Sequence, residues 1–180
     1  GSGILSNDLD AARAEAAKIG YPVLIKPAAG GGGIGMLPAR NEAELDTAIG
    51  RARSMAERGF ANGDLYLERL VEKPRHIEVQ VLGDRHGQVR HLFERDCSVQ
   101  RRNQNIIEEA PAPALNGTDI SEVADRVANS LERMGYDNIG TVEMLRGAGG
   151  ALTFLEMNTR LQVEHGVTEE VCGLDLVAAQ

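Results

Sequence analysis

Glu156-Met157-Asn158-Thr159-Arg160-Leu161-Gln162-Val163-Glu164 carries a polar side chain at every second position. In extended backbone, successive side chains point to opposite faces. One face would then hold two carboxylates, two amides and a guanidinium, and the other would be mostly apolar. The plainer alternative is a polar strand edge with a fortuitous salt bridge. Two acids, each two residues from a further polar group and with Arg160 midway between them, favour a site.

Working back from this stretch, Thr141 to Leu145 and Leu152 to Met157 read as a hairpin across the Gly147–Gly150 loop. Glu143 and Glu156 lie on its two arms, opposite or diagonal to each other. Two carboxylates so placed repel unless one is protonated or a cation sits between them. Asn158 can add a neutral oxygen, and such a hard oxygen set favours Mg²⁺ or Mn²⁺. Further upstream, Ile120, Val123, Ala124, Val127, Leu131 and Met134 give a helical stripe closed by Gly135. Ile77, Val79 and Val81 alternate with polar residues, turn at Gly83–Gly87 and return over Val89–Phe93. A basic loop with Arg95, Asp96, Arg101 and Arg102 is expected to follow. Downstream, Leu174 to Gln180 begins another helix.

The first third has a different character. A helix is expected over Asp8–Ile19, stopped by Gly20, and a short strand at Val23-Leu24-Ile25. A second helix should open at Asn41, with Glu44 three residues on as in a capping box, and end at Gly59. Leu65-Tyr66-Leu67 reads as a strand ending at Glu68. Between the first strand and the second helix lies Lys26-Pro27, then Gly30-Gly31-Gly32-Gly33-Ile34-Gly35. Glycines let backbone N–H groups approach phosphate oxygens with no side chain in the way, and Lys26 supplies a point charge beside them. No Gly-Lys-Ser/Thr follows, so this is not the Walker pattern.

Composition narrows the partners. The chain has 180 residues, enough for one domain or two small subdomains, and a formal net charge of −8. Aromatics are 3% of residues. Charge and aromatic content together argue against general nucleic-acid or anionic-membrane binding. No apolar run is long enough to span a bilayer, and no signal peptide is expected. Cys97 and Cys172 are too few for a disulfide framework or zinc site and suit a reducing cytoplasm.

Taken in order, these motifs carry a family resemblance. They are the strand ending in Lys26, the glycine loop, Glu68-Arg69, Pro74-Arg75-His76, Glu94-Arg95-Asp96-Cys97-Ser98 and Gln100-Arg101-Arg102. Glu108-Glu109-Ala110-Pro111-Ala112-Pro113, Glu143 and the run Glu156 to His165 complete the series. The chain resembles biotin carboxylase, the ATP-grasp component of acyl-CoA, pyruvate and urea carboxylases, over essentially its whole length. The resemblance implies an α+β ATP-grasp fold. Residues 1–72 would be the mobile lid subdomain with a lead-in helix, and 73–180 a truncated C-terminal lobe built on a larger antiparallel sheet.

It also implies an ATP-dependent ligase that forms a C–N bond. Bicarbonate attacks the γ-phosphate of Mg-ATP, and the resulting carboxyphosphate carboxylates N1 of biotin tethered to a carrier protein or domain that works with a carboxyltransferase. By the same carry-over, Lys26 with Gly31, Gly32, Gly33 and Gly35 would hold phosphate. Glu68, Arg69 and the backbone at Leu70 would meet adenine, with Leu145 packing on it and His76 and Gln100 near the ribose. Glu143, Glu156 and Asn158 would organise the metal. Arg160, Gln162 and Val163 would flank bicarbonate or biotin, and Glu164 would be the base. This sequence departs from the family pattern at Ile34 (commonly Arg), at Asn103-Gln104-Asn105 (usually His-Gln-Lys) and at Gly166 (often Pro). The family's flanking domains, which carry a further Lys and Arg, are not in it, so this segment alone is expected to be inactive. The competing readings are an ATP-grasp ligase joining a carboxylate to an amine, which leaves the Arg160–Glu164 cluster unexplained, and a non-catalytic nucleotide-binding module.

Overall fold

The structure, a computed structural model, describes residues 1–29, 34–101, 104–115 and 117–180. It divides into two compact units, Gly1–Leu70 and Val71–Gln180.

The first unit sets two helices against a three-stranded antiparallel sheet. Its elements are α1 (Leu9–Ile19), β1 (Val23–Pro27), β2 (Leu37–Ala39), α2 (Glu42–Phe60) and β3 (Leu65–Arg69), with strand order β2-β1-β3. Val23, Ile25, Leu65 and Leu67 alternate inward along the strands and meet Leu45, Ile49 and Ala52 of α2. At the start of α2, the Asn41 side chain accepts from the Glu44 N–H at 3.1 Å. Glu44 reaches back to the Arg40 N–H at 2.9 Å, so the capping box closes one residue early. The helix runs past Gly59, where it was expected to stop. Phe60 packs on the core, and the left-handed terminal residue is Ala61, with φ of 54°.

The second unit is a five-stranded antiparallel sheet. Its elements are β4 (Arg75–Gly83), β5 (Val89–Arg101), β6 (Gln104–Glu109), α3 (Gly117–Arg133), β7 (Ile139–Arg146), β8 (Leu152–Asn158), α4 (His165–Cys172) and α5 (Leu176–Ala179). The strand order is β6-β5-β4-β7-β8. Ala124, Ala128 and Leu131 of α3 cover one sheet face through Val79, Val81, Val142 and Met144. Along β4 and β7 the opposite face carries His76, Glu78, Gln80, Thr141, Glu143 and Leu145.

Two expectations change here. The stretch expected to be a basic loop after Phe93 is the second half of β5, paired with β4 and β6. The alternation through Glu164 also breaks off at Asn158. There the chain leaves the sheet, turns with the His165 N–H bonded to the Gln162 carbonyl at 3.3 Å, and enters α4, which was not anticipated.

β5 contains a bulge that decides what its side chains face. Val81 pairs with His91 and Val79 with Glu94, so Leu92 and Phe93 together oppose Gln80. Phe93 has a φ of 62°. Before the bulge His91 points to the α3 side, 3.3 Å from Asp125. After it Glu94 takes that side, accepting from the Ala112 N–H at 3.2 Å, and Arg95 turns to the opposite face.

Candidate active site

The polar face of the second unit is organised by a buried guanidinium. Arg95 pairs with Glu78 across β4–β5, and both are essentially inaccessible to solvent. Nε and Nη2 donate to Glu78 Oε2 at 3.2 and 2.9 Å. Nη1 donates to Gln80 Oε1 at 2.6 Å and to Thr168 Oγ1 at 2.8 Å. Nη2 also reaches Thr141 Oγ1 and Gln162 Oε1, both at 3.3 Å. Burial raises the Glu78 carboxyl pKa, but the contacts with His76 and Arg95 outweigh it and hold the group below its ordinary value.

Glu143 is the second centre. Its Oε1 accepts from Asn158 Nδ2 at 2.6 Å and from Gln162 Nε2 at 3.0 Å. His76 Nε2 lies 3.1 Å from Glu143 Oε2 and 3.3 Å from Glu78 Oε1. Neither contact has the alignment of a hydrogen bond, so the ring is held by charge between two carboxylates. Burial would lower its pKa, but Glu143 and Glu78 raise it to about 9. A pKa raised above the ordinary 6.5 stabilises the fold fully below that value and loses the contribution as pH climbs through about 9. In metal-free buffer, thermal stability is therefore expected to fall between these two pH values. A His76→Gln variant should lack this alkaline slope, and melts recorded across the range would show it.

Glu156 pairs directly with Glu143 across β7–β8. It is exposed and makes no ion pair or side-chain hydrogen bond among the described residues. Two adjacent carboxylates and an amide oxygen on one hairpin fit a hard divalent cation. Asn158 would have to turn its oxygen toward the ion, because here its nitrogen faces Glu143. Arg160 is exposed, with Nη2 3.3 Å from Asn158 Oδ1, and Val163 is almost fully exposed.

Glu164 forms the N-terminal boundary of α4, and its Oε1 accepts from Asn105 Nδ2 at 2.7 Å. Asn105 in turn accepts from Gln100 Nε2 at 2.9 Å. The Cys97 thiol lies with Glu78 and Glu164 in a cluster whose ligand atoms are within 4.8 Å of one another. Burial, with the Glu78 charge, pushes its pKa far up, so it is a neutral thiol rather than a nucleophile. Leu145 sits beside His76 in the β4–β7 register.

In the first unit, Lys26 Nζ donates to Glu68 Oε2 at 3.0 Å and lies 5.3 Å from the centre of the Tyr66 ring. Burial lowers the Lys26 pKa, but Glu68 and Tyr66 raise it further, so the ammonium is secure. Gly35 has a φ of 80°, and a Cβ there would lie 2.9 Å from the Pro27 ring. The Leu70 N–H donates to the Pro22 carbonyl at 3.0 Å, and Arg69 is exposed. Gly31, Gly32 and Gly33, like Arg102 and Asn103, lie outside the described residues.

Residue-by-residue reading passed over Arg95, Gln80, Thr141 and Thr168. The alternation of His76, Glu78 and Gln80 was visible but resembles a solvated face. Arg95 was hidden because its orientation depends on the bulge.

Known proteins resemble this chain in sequence and fold. Over residues 1–180 the sequence matches the family model described as carbamoyl-phosphate synthase L chain, ATP binding domain. It is 49% identical over 173 residues to biotin carboxylase 2 of Bacillus subtilis, covering 96% of this chain and 39% of that protein. To biotin carboxylase of Halalkalibacterium halodurans it is 47% identical over 180 residues, covering 100% of this chain and 40% of that protein. Among solved structures it is similar to the biotin carboxylase domain dimer of Hydrogenobacter thermophilus 2-oxoglutarate carboxylase, in complex with MgADP, ADP and bicarbonate. There the TM-score is 0.92 at 47% identity, over 99% of this chain and 39% of that one. The chain belongs to this ATP-grasp family of ATP-binding domains, as a member of the biotin carboxylase type. It spans 39–40% of the length of these relatives.

Proposed function

We propose that this segment belongs to a biotin carboxylase that uses ATP and bicarbonate to carboxylate carrier-bound biotin. The observation that carries this reading is the shared polar face. Glu143 is bonded by Gln162 and Asn158 and paired with Glu156, and Glu164 stands at the start of the next helix. A carboxylate–amine ligase would need the metal carboxylates but gives no role to the Gln162–Glu164 segment. The complex of the Hydrogenobacter relative with MgADP and bicarbonate supports the same substrates here.

Glu143, Glu156 and Asn158 would hold Mg²⁺ or Mn²⁺, which offsets phosphate charge. Lys26 would bind phosphate oxygens, exchanging Glu68 for them. Arg160 and Gln162 would hold bicarbonate beside Val163, and Glu164 would take its proton as the oxygen attacks the γ-phosphorus and ADP leaves. The carboxyphosphate formed then delivers its carboxyl group to N1 of biotin, with loss of the N–H proton and release of phosphate. The partners would be a biotin carrier protein or domain and a carboxyltransferase. A cytoplasmic location suits these substrates, and no helix among the described residues is long and apolar enough to cross a membrane.

Bicarbonate-dependent ADP release by the intact protein tests the reading. Nucleotide cleavage that requires an amine and ignores bicarbonate would favour the ligase alternative, and nucleotide binding without cleavage the regulatory one. Calorimetry of Mg-nucleotide binding to that protein should show Lys26→Ala losing at least about 1.4 kcal/mol, a tenfold change in affinity. Equal affinity would remove the phosphate role. In the same protein, Asn105→Lys should raise kcat more than it changes the KM for ATP, because a cation beside Glu164 meets charge that develops during the reaction. A drop in kcat would show that the Gln100–Asn105–Glu164 chain is itself the working arrangement.

A further inference from the structure

The guanidinium of Arg95 touches none of the groups assigned to substrate except Gln162, yet its geometry constrains several of them. Arginine has five N–H donors and no acceptor. Whatever faces it in this buried network must therefore be an oxygen. Gln162 presents Oε1 to Nη2, and that choice forces its Nε2 toward Glu143 Oε1, where it donates at 3.0 Å. The orientation of a side-chain amide is ordinarily interchangeable; here the chemistry of the neighbour fixes it. With Glu143 Oε1 occupied by Gln162 and Asn158, Oε2 is left to face His76.

A second link runs through α4. Thr168 lies one turn beyond Glu164, is buried, and accepts from Arg95 Nη1 at 2.8 Å. The same side chain thus anchors the helical turn that begins at Glu164. Gln80 is fixed in the same manner, with Oε1 on Arg95 and Nε2 donating to the Gly140 carbonyl at 2.8 Å. A buried charged network of this size is not needed for stability alone, since well-packed apolar groups often serve as well.

We propose that Arg95 is a positioning residue that sets the Gln162 amide and the first turn of α4 for bicarbonate. The inference rests on the biotin carboxylase reading. Arg95→Lys keeps a cation beside Glu78 but offers donors from one atom only, so it cannot serve Gln80, Thr168 and Gln162 together. In the intact protein, Arg95→Lys should raise the KM for bicarbonate and lower kcat, each by about tenfold or more, with the KM for ATP within about twofold of wild type. A structural role alone would lower the melting temperature and the folded fraction and leave both constants per folded molecule unchanged. That result would overturn the proposal.

If Arg95→Lys does not fold, Thr168→Val takes its place. It should show the same split more weakly, and Thr168→Ser should restore wild-type constants. Equal constants in the Val and Ser variants would count against the proposal. A second reading does not depend on turnover. The Gln162 Nε2 protons should show shifts displaced from those of a free amide and slow exchange with water in wild type, and both should move to free-amide values in Arg95→Lys. If wild type shows no bicarbonate-dependent ADP release, the functional reading fails on its own, and the NMR pair decides the role of Arg95. Unchanged Gln162 signals in the variant would then overturn it.

Discussion

Replacing Glu164 with Gln is expected to lower bicarbonate-dependent ADP release by at least about a hundredfold, the lower end for loss of a general base. The exchange is nearly isosteric, and the new amide oxygen can still accept from Asn105 Nδ2. What it removes is the ability to take a proton. The KM for ATP should stay within about twofold of wild type, because Glu164 meets bicarbonate and not the nucleotide. Steady-state assays at saturating ATP with varied bicarbonate would measure the loss. Wild-type turnover in Glu164→Gln would remove this residue from the proton-transfer step and move the search to the neighbouring carboxylates.

Arg95→Leu should destabilise the second unit by about 3–5 kcal/mol, because it strands Glu78 as a buried charge whose remaining cation, His76, is shared with Glu143. Glu78 is 1% exposed. For a unit of this size each kilocalorie shifts the melting temperature by roughly 4–8 °C, so the variant should melt well over ten degrees lower, if it folds at all. The double variant Arg95→Leu/Glu78→Leu should recover much of the loss, since it removes both charges. Thermal melts of the two variants separate the effects. A single variant within about 1 kcal/mol of wild type would mean that the network is solvated, contrary to its burial.

The fold was legible wherever local chemistry and periodicity agreed. Asn41 and Glu44 announced α2, the Ile120–Met134 stripe announced α3, and the hairpin through Glu143 and Glu156 emerged in the expected register. Legibility failed where a long-range partner overrode a local pattern. Gln162 and Glu164 continue the alternation of β8, yet the backbone has already left the sheet, because Gln162 is drawn inward by Arg95 and Glu143. The segment from Glu94 to Arg101 is dense in charge and reads as a loop. It is a strand because its charges find partners in the buried Glu78, the half-buried Arg75 and the Ala112 N–H. The polar face was half visible. Glu143, Glu156 and Asn158 could be named from residue type and spacing and His76 only from the family resemblance, whereas Thr141 and Thr168 act only through a guanidinium that lies far from them in sequence.

The bulge at Leu92–Phe93 makes this surface position tolerant of exchange and of loss alike. Phe93 is half exposed, and Gly or Asn could take over its left-handed backbone with less strain. A library of single substitutions there should yield mostly active protein. Deleting the one residue would leave Leu92 alone opposite Gln80, with His91 still beside Val81 and Glu94 beside Val79, so Arg95 would go on facing Glu78. What β5 would lose is the extra local bend that a bulge adds. The spare residue works like a leap day, absorbed at one place so that the dates on either side stay aligned.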